Sequence, residues 1–138
     1  MKLPLTCLMW CLAAGPAQAQ AQTYRYSVLF QNKVRGAQTT VIAPDGRISV
    51  DFTYRDNGRG PDAREEIVLA RDGTQLNHRV TGKSTFGAPM DEGYAREGGT
   101  ARWFSNAGRG EAPAAGAVAY YPVSEASPQA DALLARAL

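Results

Sequence analysis

The sequence has 138 residues, 44% hydrophobic and 20% charged, with 15 basic side chains against 13 acidic ones and a net charge of +2. A chain of this length fits one domain with a modest core. Twelve of the basic residues are arginines spread singly between acids, which excludes the clustered stripe that a nucleic-acid-binding surface needs.

The first residues read as a targeting segment. Lys2 supplies a positive start, residues 3–14 form a short apolar run, and Ala17-Gln18-Ala19 offers a small-x-small cleavage site, with Ala19-Gln20-Ala21 as a shifted alternative. The run is shorter than the roughly 20 apolar residues that a bilayer span requires. Residues 1–21 are therefore expected to be a cleaved signal peptide, leaving a periplasmic or secreted protein with no stable membrane span. Cys7 and Cys11 both fall inside it, and neither follows the small-residue box of a lipoprotein. The mature chain is expected to carry no disulfide and no thiolate chemistry. Without Lys2 it keeps 14 basic residues against 13 acidic ones.

Residues 22–123 read as an antiparallel β domain. Residues 23–30 open it, with Tyr24, Tyr26, Val28 and Phe30 alternating with polar neighbours. Asn32-Lys33 turns the chain into a second strand at 34–43, and Pro44-Asp45-Gly46 turns it again. In residues 47–55, Ile48, Val50, Phe52 and Tyr54 alternate strictly with polar side chains, the period of a half-buried strand. The glycine-rich loop at 57–61 follows, then a strand at 65–70, the Asp72-Gly73 turn, and a strand at 75–83 on which Leu76, His78 and Val80 share a face. Residues 84–89 read as a bend, since Gly87 and Pro89 disfavour a ladder. Strands at 90–96 and 100–105 pair across Gly98-Gly99, and Trp103 and Phe104 point to opposite faces. Residues 106–119, rich in Ala and Gly, read as loop or ragged edge strand, and 119–123 as a short extended piece. Ser127-Pro128 has the form of an N-cap and first helical position, opening a helix within 124–138. The fold expected is mainly β, a curved antiparallel meander of seven to nine strands with one C-terminal helix. The helix ends without a cap, and the pattern expects the chain to continue.

Chemistry is sparse. His78 is the only histidine, and a lone histidine beside apolar neighbours reads as a half-buried strand residue, because a base or ligand needs partners to set its geometry. A zinc site needs three or four ligands, so none is expected. Glu65-Glu66 and Asp91-Glu92 are adjacent on strands and point to opposite faces, which reads as solvated edges. Ser84, Thr85 and Ser105 have no His–Asp set. Gly58-Arg59-Gly60, repeated at Gly108-Arg109-Gly110, can cradle an anion, but no Lys-Ser/Thr pair follows. The plainer reading is a wide hairpin loop, its arginine solvated or paired with Asp56 or Asp62. The tyrosines of 23–30, with Phe52, Tyr54 and Trp103, read as sheet core. No catalytic, cofactor-binding or metal-binding residue is assigned.

Residues 50–92, with WFSNAGRGE after them, resemble the N-terminal β-rich region of secreted bacterial amidohydrolase-family proteins. The most specific pieces are Asp56–Pro61 (DNGRGP), 80–92 (VTGKSTFGAPMDE) and the Ala/Leu helix near the end, and the resemblance covers nearly all of the mature chain. The resemblance implies an accessory domain preceding a metal-dependent (β/α)₈ barrel that hydrolyses C–N bonds, often of amides or cyclic amides. The His-x-His pair and other metal ligands of that family do not occur here, so the divalent, zinc-type metal and the catalytic residues belong to the barrel as partner. The competing expectation is a free-standing periplasmic β-module that binds a lipid-like or protein partner on a concave apolar face.

Overall fold

The computed structural model describes residues 20–115 and 124–137. The expected signal peptide, apart from its last two residues, and the extended piece at 119–123 lie outside the described residues. Eight strands follow one another: β1 (Gln22–Phe30), β2 (Lys33–Ile42), β3 (Ile48–Tyr54), β4 (Asp62–Leu69), β5 (Gln75–Lys83), β6 (Pro89–Glu97), β7 (Thr100–Ser105) and β8 (Gly108–Pro113). They form one open antiparallel sheet in that same order, and the helix α1 (Pro128–Ala137) follows. The mainly-β meander with one helix is the architecture that the alternation pattern anticipates.

Two stretches depart from the reading, and at a third the edge-strand alternative holds. β4 starts at Asp62 rather than 65, because Asp62 and Ala63 already pair with Thr53 and Phe52 directly after Pro61. Residues 84–88 make a tight hairpin turn instead of a bend. The Ser84 N–H donates to the Ala88 carbonyl and the Gly87 N–H to that of Ser84, both at 2.9 Å. The Ala/Gly-rich stretch contains a true strand, β8. It is matched to β7, where Arg102 pairs with Glu111 at 3.1 Å and the Trp103 indole covers the small Gly110.

The alternation of β3 holds in space. Ile48, Val50 and Phe52 are buried, while Asp51 between the last two and Thr53 after them are exposed. Register extends this inner face across the sheet, so Val50 lies opposite Glu65, Glu65 opposite Val80, and Val80 opposite Glu92. A parallel row runs through Ile48, Ile67, His78, Tyr94 and Trp103. Leu133 of α1 packs into the cluster made by Ile48, Val50, Phe52, Ala63, Ile67, Val80 and Met90. Two layers, sheet and helix, thus enclose one core. Asp131 in the first turn of α1 and Arg136 in the last match its dipole.

The helix leaves the β1 flank uncovered. Tyr24 and Tyr26 are 42% and 52% exposed, so the tyrosines of the first strand are not core as expected, although Phe52 is. Leu76 is a second correction. Val68 pairs with Asn77 but Leu69 pairs with Gln75, which leaves Leu76 as the extra residue of a β-bulge. The bulge turns Leu76 outward and Gln75 inward, so Leu76 does not share the buried face of His78 and Val80.

Candidate functional site

The inner face carries polar groups that alternation placed among apolar ones. Glu65 on β4 and His78 on β5 are fully buried, and Glu92 on β6 nearly so. The expectation that both carboxylate pairs are solvated holds for Glu66 and Asp91 only. His78 is buried at 1% exposure rather than half-buried. Sequence neighbours do face opposite ways; the error was in treating both faces as wet.

Glu65, His78 and Glu92 each have partners. Gln75 Nε2 donates to His78 Nδ1 at 3.0 Å, so Nδ1 is the acceptor, and the Nε2–H donates to Glu65 Oε2, also at 3.0 Å. In a regular strand, residues three apart face opposite sides. The Leu76 bulge is what brings Gln75 and His78 to the same side.

The other ends of this network hold the segment at 124–129. Glu65 Oε1 accepts the backbone N–H of Ser127. Glu92 accepts the Ser124 N–H at 3.1 Å on Oε2 and the Ser124 hydroxyl on Oε1. Reciprocally, Glu125 accepts the Thr85 N–H at 3.1 Å and its hydroxyl at 2.8 Å. Thr40 Oγ1 meets Gln129 Oε1 at 3.4 Å. The helix begins where Ser127-Pro128 placed it, yet the Ser127 hydroxyl is buried without a hydrogen bond. The anchor is its backbone N–H, and its carbonyl accepts from the Ala130 N–H at 3.0 Å. A buried carboxylate reaching the amide just ahead of the first helical residue supplies the anchoring that the side-chain cap does not.

Other candidates separate in space. Ser105 Oγ accepts the Ala107 N–H at 3.1 Å within its turn, and Thr85 is committed to Glu125. The Arg59 guanidinium forms no ion pair with Asp56 or Asp62 among the described residues, although its backbone bridges that of Asp56. Arg35 approaches Asp56 at 3.9 Å and Arg55 binds Asp62, while Arg59 lies 5.8 Å over the Phe86 ring. The second Gly-Arg-Gly run is the start of β8. A broad open trough of about 1170 Å³ runs along β5–β8, lined in part by Asn77, Arg79, Gly93, Arg102 and Phe104. Two of its three arginines are engaged, Arg79 with Asp91 and Arg102 with Glu111, and the third is Arg109 of β8. Among the described residues, no group of three His, Cys, Asp or Glu side chains is placed to hold a metal ion. No described helix is long and apolar enough to cross a membrane. Comparisons with protein-family models, curated proteins and solved structures returned no match.

What this arrangement does chemically is fix a connector to a sheet. The sequence signal that could have located it is the placement of Glu65, His78 and Glu92 at core positions of their strands. An acid at an inward position needs a donor.

Proposed function

We propose that this chain is a non-catalytic accessory domain of an exported, metal-dependent amidohydrolase, a platform that sets the direction of the polypeptide beyond its helix. The observation that supports it is the use made of the buried ionisable groups. Glu65 and Glu92 each use both oxygens on hydrogen bonds within the fold, and His78 uses both ring nitrogens. Groups so committed and buried serve position rather than turnover. The resemblance of residues 50–92 supplies the class of the carried domain, a (β/α)₈ barrel that hydrolyses C–N bonds with its own zinc-type metal. Such an assignment by analogy places no site in this chain.

The test is the reading frame past codon 138, followed by amide and cyclic-amide hydrolysis assays on this chain and on the full translation product. Continuation into a domain with a His-x-His pair, with activity only in the longer protein, supports the proposal. A stop codon directly after Leu138 in a verified clone overturns it. A second reading, a free-standing module for a lipid-like or protein partner, draws on the uncovered Tyr24 and Tyr26 beside the helix. Since α1 already occupies the middle of the inner face, that partner would have to bind at the β1 flank.

A further inference from the structure

The two ends of the sheet differ. The turns at 43–47, 70–74 and 97–100 carry Asp45, Asp72 and Glu97 alongside Arg47 and Arg71, a balanced polar rim. The opposite end carries the turns at 31–32, 55–61, 84–88 and 106–107, and most of the strongly exposed apolar side chains of the described residues. Leu29 and Val34 form a cross-strand pair at the tip of the first hairpin, each 67% exposed; Phe30 is beside them, and Phe86 is 80% exposed on the 84–88 turn.

The cations at this end are not balanced. Its acids are engaged: Asp56 with Arg35, Asp62 with Arg55, and Glu125 with Thr85. Arg55 further donates to the carbonyls of Tyr54, Gly60 and Pro61. Lys33, Arg59 and Lys83 are exposed and form no ion pair among the described residues. Arg59, Lys83 and Phe86 line a cleft of about 430 Å³ between the two loops, whose wall also holds the Arg55–Asp62 ion pair, Ser84 and Thr85. The tips are joined into one surface. The Gly60 N–H donates to the Thr85 carbonyl at 3.1 Å, and the Arg55 N–H to the Arg35 carbonyl at 2.8 Å.

We propose that this end of the sheet docks on an anionic lipid bilayer, with a lipid phosphate in the cleft between Arg59 and Lys83 and with Leu29, Val34 and Phe86 entering the headgroup boundary. Charge complementarity selects this occupant, because Lys33, Arg59 and Lys83 carry charge with no acidic partner among the described residues, whereas two of the three acids, Asp56 and Asp62, are paired with cations. The apolar groups sit on protruding turn tips, a shape suited to a fluid headgroup layer rather than to a concave protein groove. The inference is independent of the domain's proposed hydrolase context.

The experiment is co-sedimentation of the purified protein with phosphatidylglycerol-containing vesicles and with pure phosphatidylcholine vesicles, at low and high salt. Binding is expected to the anionic vesicles and to fall with salt. A basic residue near an anionic surface is worth about a five-fold gain in partitioning, so R59E combined with K83E is expected to weaken binding by at least about 25-fold. F86S and L29S with V34S weaken it while leaving the circular dichroism spectrum unchanged; R47E with R71E, at the other end, leaves binding intact. Equal binding to neutral vesicles, or equal losses from both charge pairs, overturns the proposal. So does saturable binding of inorganic phosphate without vesicle binding, which would mark a soluble-anion site. Self-association abolished by L29S with V34S, without vesicle binding, would mark a protein interface and equally overturn it.

Discussion

Glu65 and Ser127 are 62 residues apart in sequence, yet the Glu65 carboxylate accepts the Ser127 backbone N–H with one oxygen while it receives His78 Nε2–H on the other. The contact joins the middle of the sheet to the start of the helix. Replacing Glu65 by Leu leaves two buried donors without an acceptor. Each orphaned donor costs about 1–3 kcal/mol, so the expected total loss is about 3 kcal/mol, read as a lower urea midpoint by Trp103 fluorescence. Glu65→Gln keeps one acceptor oxygen and is expected to lose less.

The bulge makes a prediction that strand alternation would invert. Leu76 faces out, so Leu76→Ser is expected to change stability by no more than about 0.5 kcal/mol. Gln75→Leu leaves His78 Nδ1 without its donor and is expected to cost about 1–3 kcal/mol. Equal effects at the two positions in urea titrations would argue against the bulge.

Leu133 is the principal side chain by which the helix enters the core. Leu133→Ala is expected to destabilise by about 2–4 kcal/mol. Because α1 caps the inner face, the same variant is expected to bind more of a hydrophobic dye and to be cut sooner by protease near residue 124.

Gly60 and Gly58 both have positive φ, but their surroundings differ. A Cβ at Gly60 would lie 1.9 Å from the Tyr54 carbonyl oxygen, whereas one at Gly58 would meet open space. Gly58→Ala is expected to cost about 1–2 kcal/mol for the left-handed backbone alone. Gly60→Ala must also part the ends of β3 and β4, and its thermal midpoint is expected to fall further.

Asp72 carries a pH signature. The Thr74 hydroxyl donates to Asp72 Oδ1 at 2.6 Å and the Thr74 N–H at 3.0 Å, and these bonds hold the carboxyl below its ordinary value of 3.8. A carboxyl lowered in the folded state stabilises the fold above its unfolded value, and that contribution disappears as pH falls through the folded value. Asp72→Ala is therefore expected to be less stable than the parent at pH 7, with the gap closing as acid unfolding titrations pass below about 4.

Much of the sheet was legible because period-two alternation and turn residues are local signals. Residues 48–54 show their buried face in the sequence itself, and Gly98-Gly99 marks its hairpin by backbone freedom alone. The bulge at Leu76 was not legible, since it depends on the register that β4 imposes on β5. β8 was hidden for a related reason: Gly110 reads as loop until Trp103 is placed across from it. The inner carboxylates were seen but misjudged, because their donors come from residues 124–127, far along the chain. The cleft by Arg59 was likewise visible only as a glycine-rich loop, since its other wall belongs to a different hairpin.

The ordering of the strands has a consequence for how the molecule is made. Each strand pairs only with its neighbour in sequence, so each hairpin can close as soon as its second half has been synthesised, with little loop entropy to overcome. The helix is different, because its anchors on β4 and β6 wait for a segment that emerges after all eight strands. Until residues 124–133 arrive, the nascent sheet holds Glu65, His78 and Glu92 on a face with no roof, and water stands in for the amides to come. Commitment to the native state therefore coincides with the arrival of residues 124–133, and a ribosome stalled before that point would display a paired but uncapped sheet.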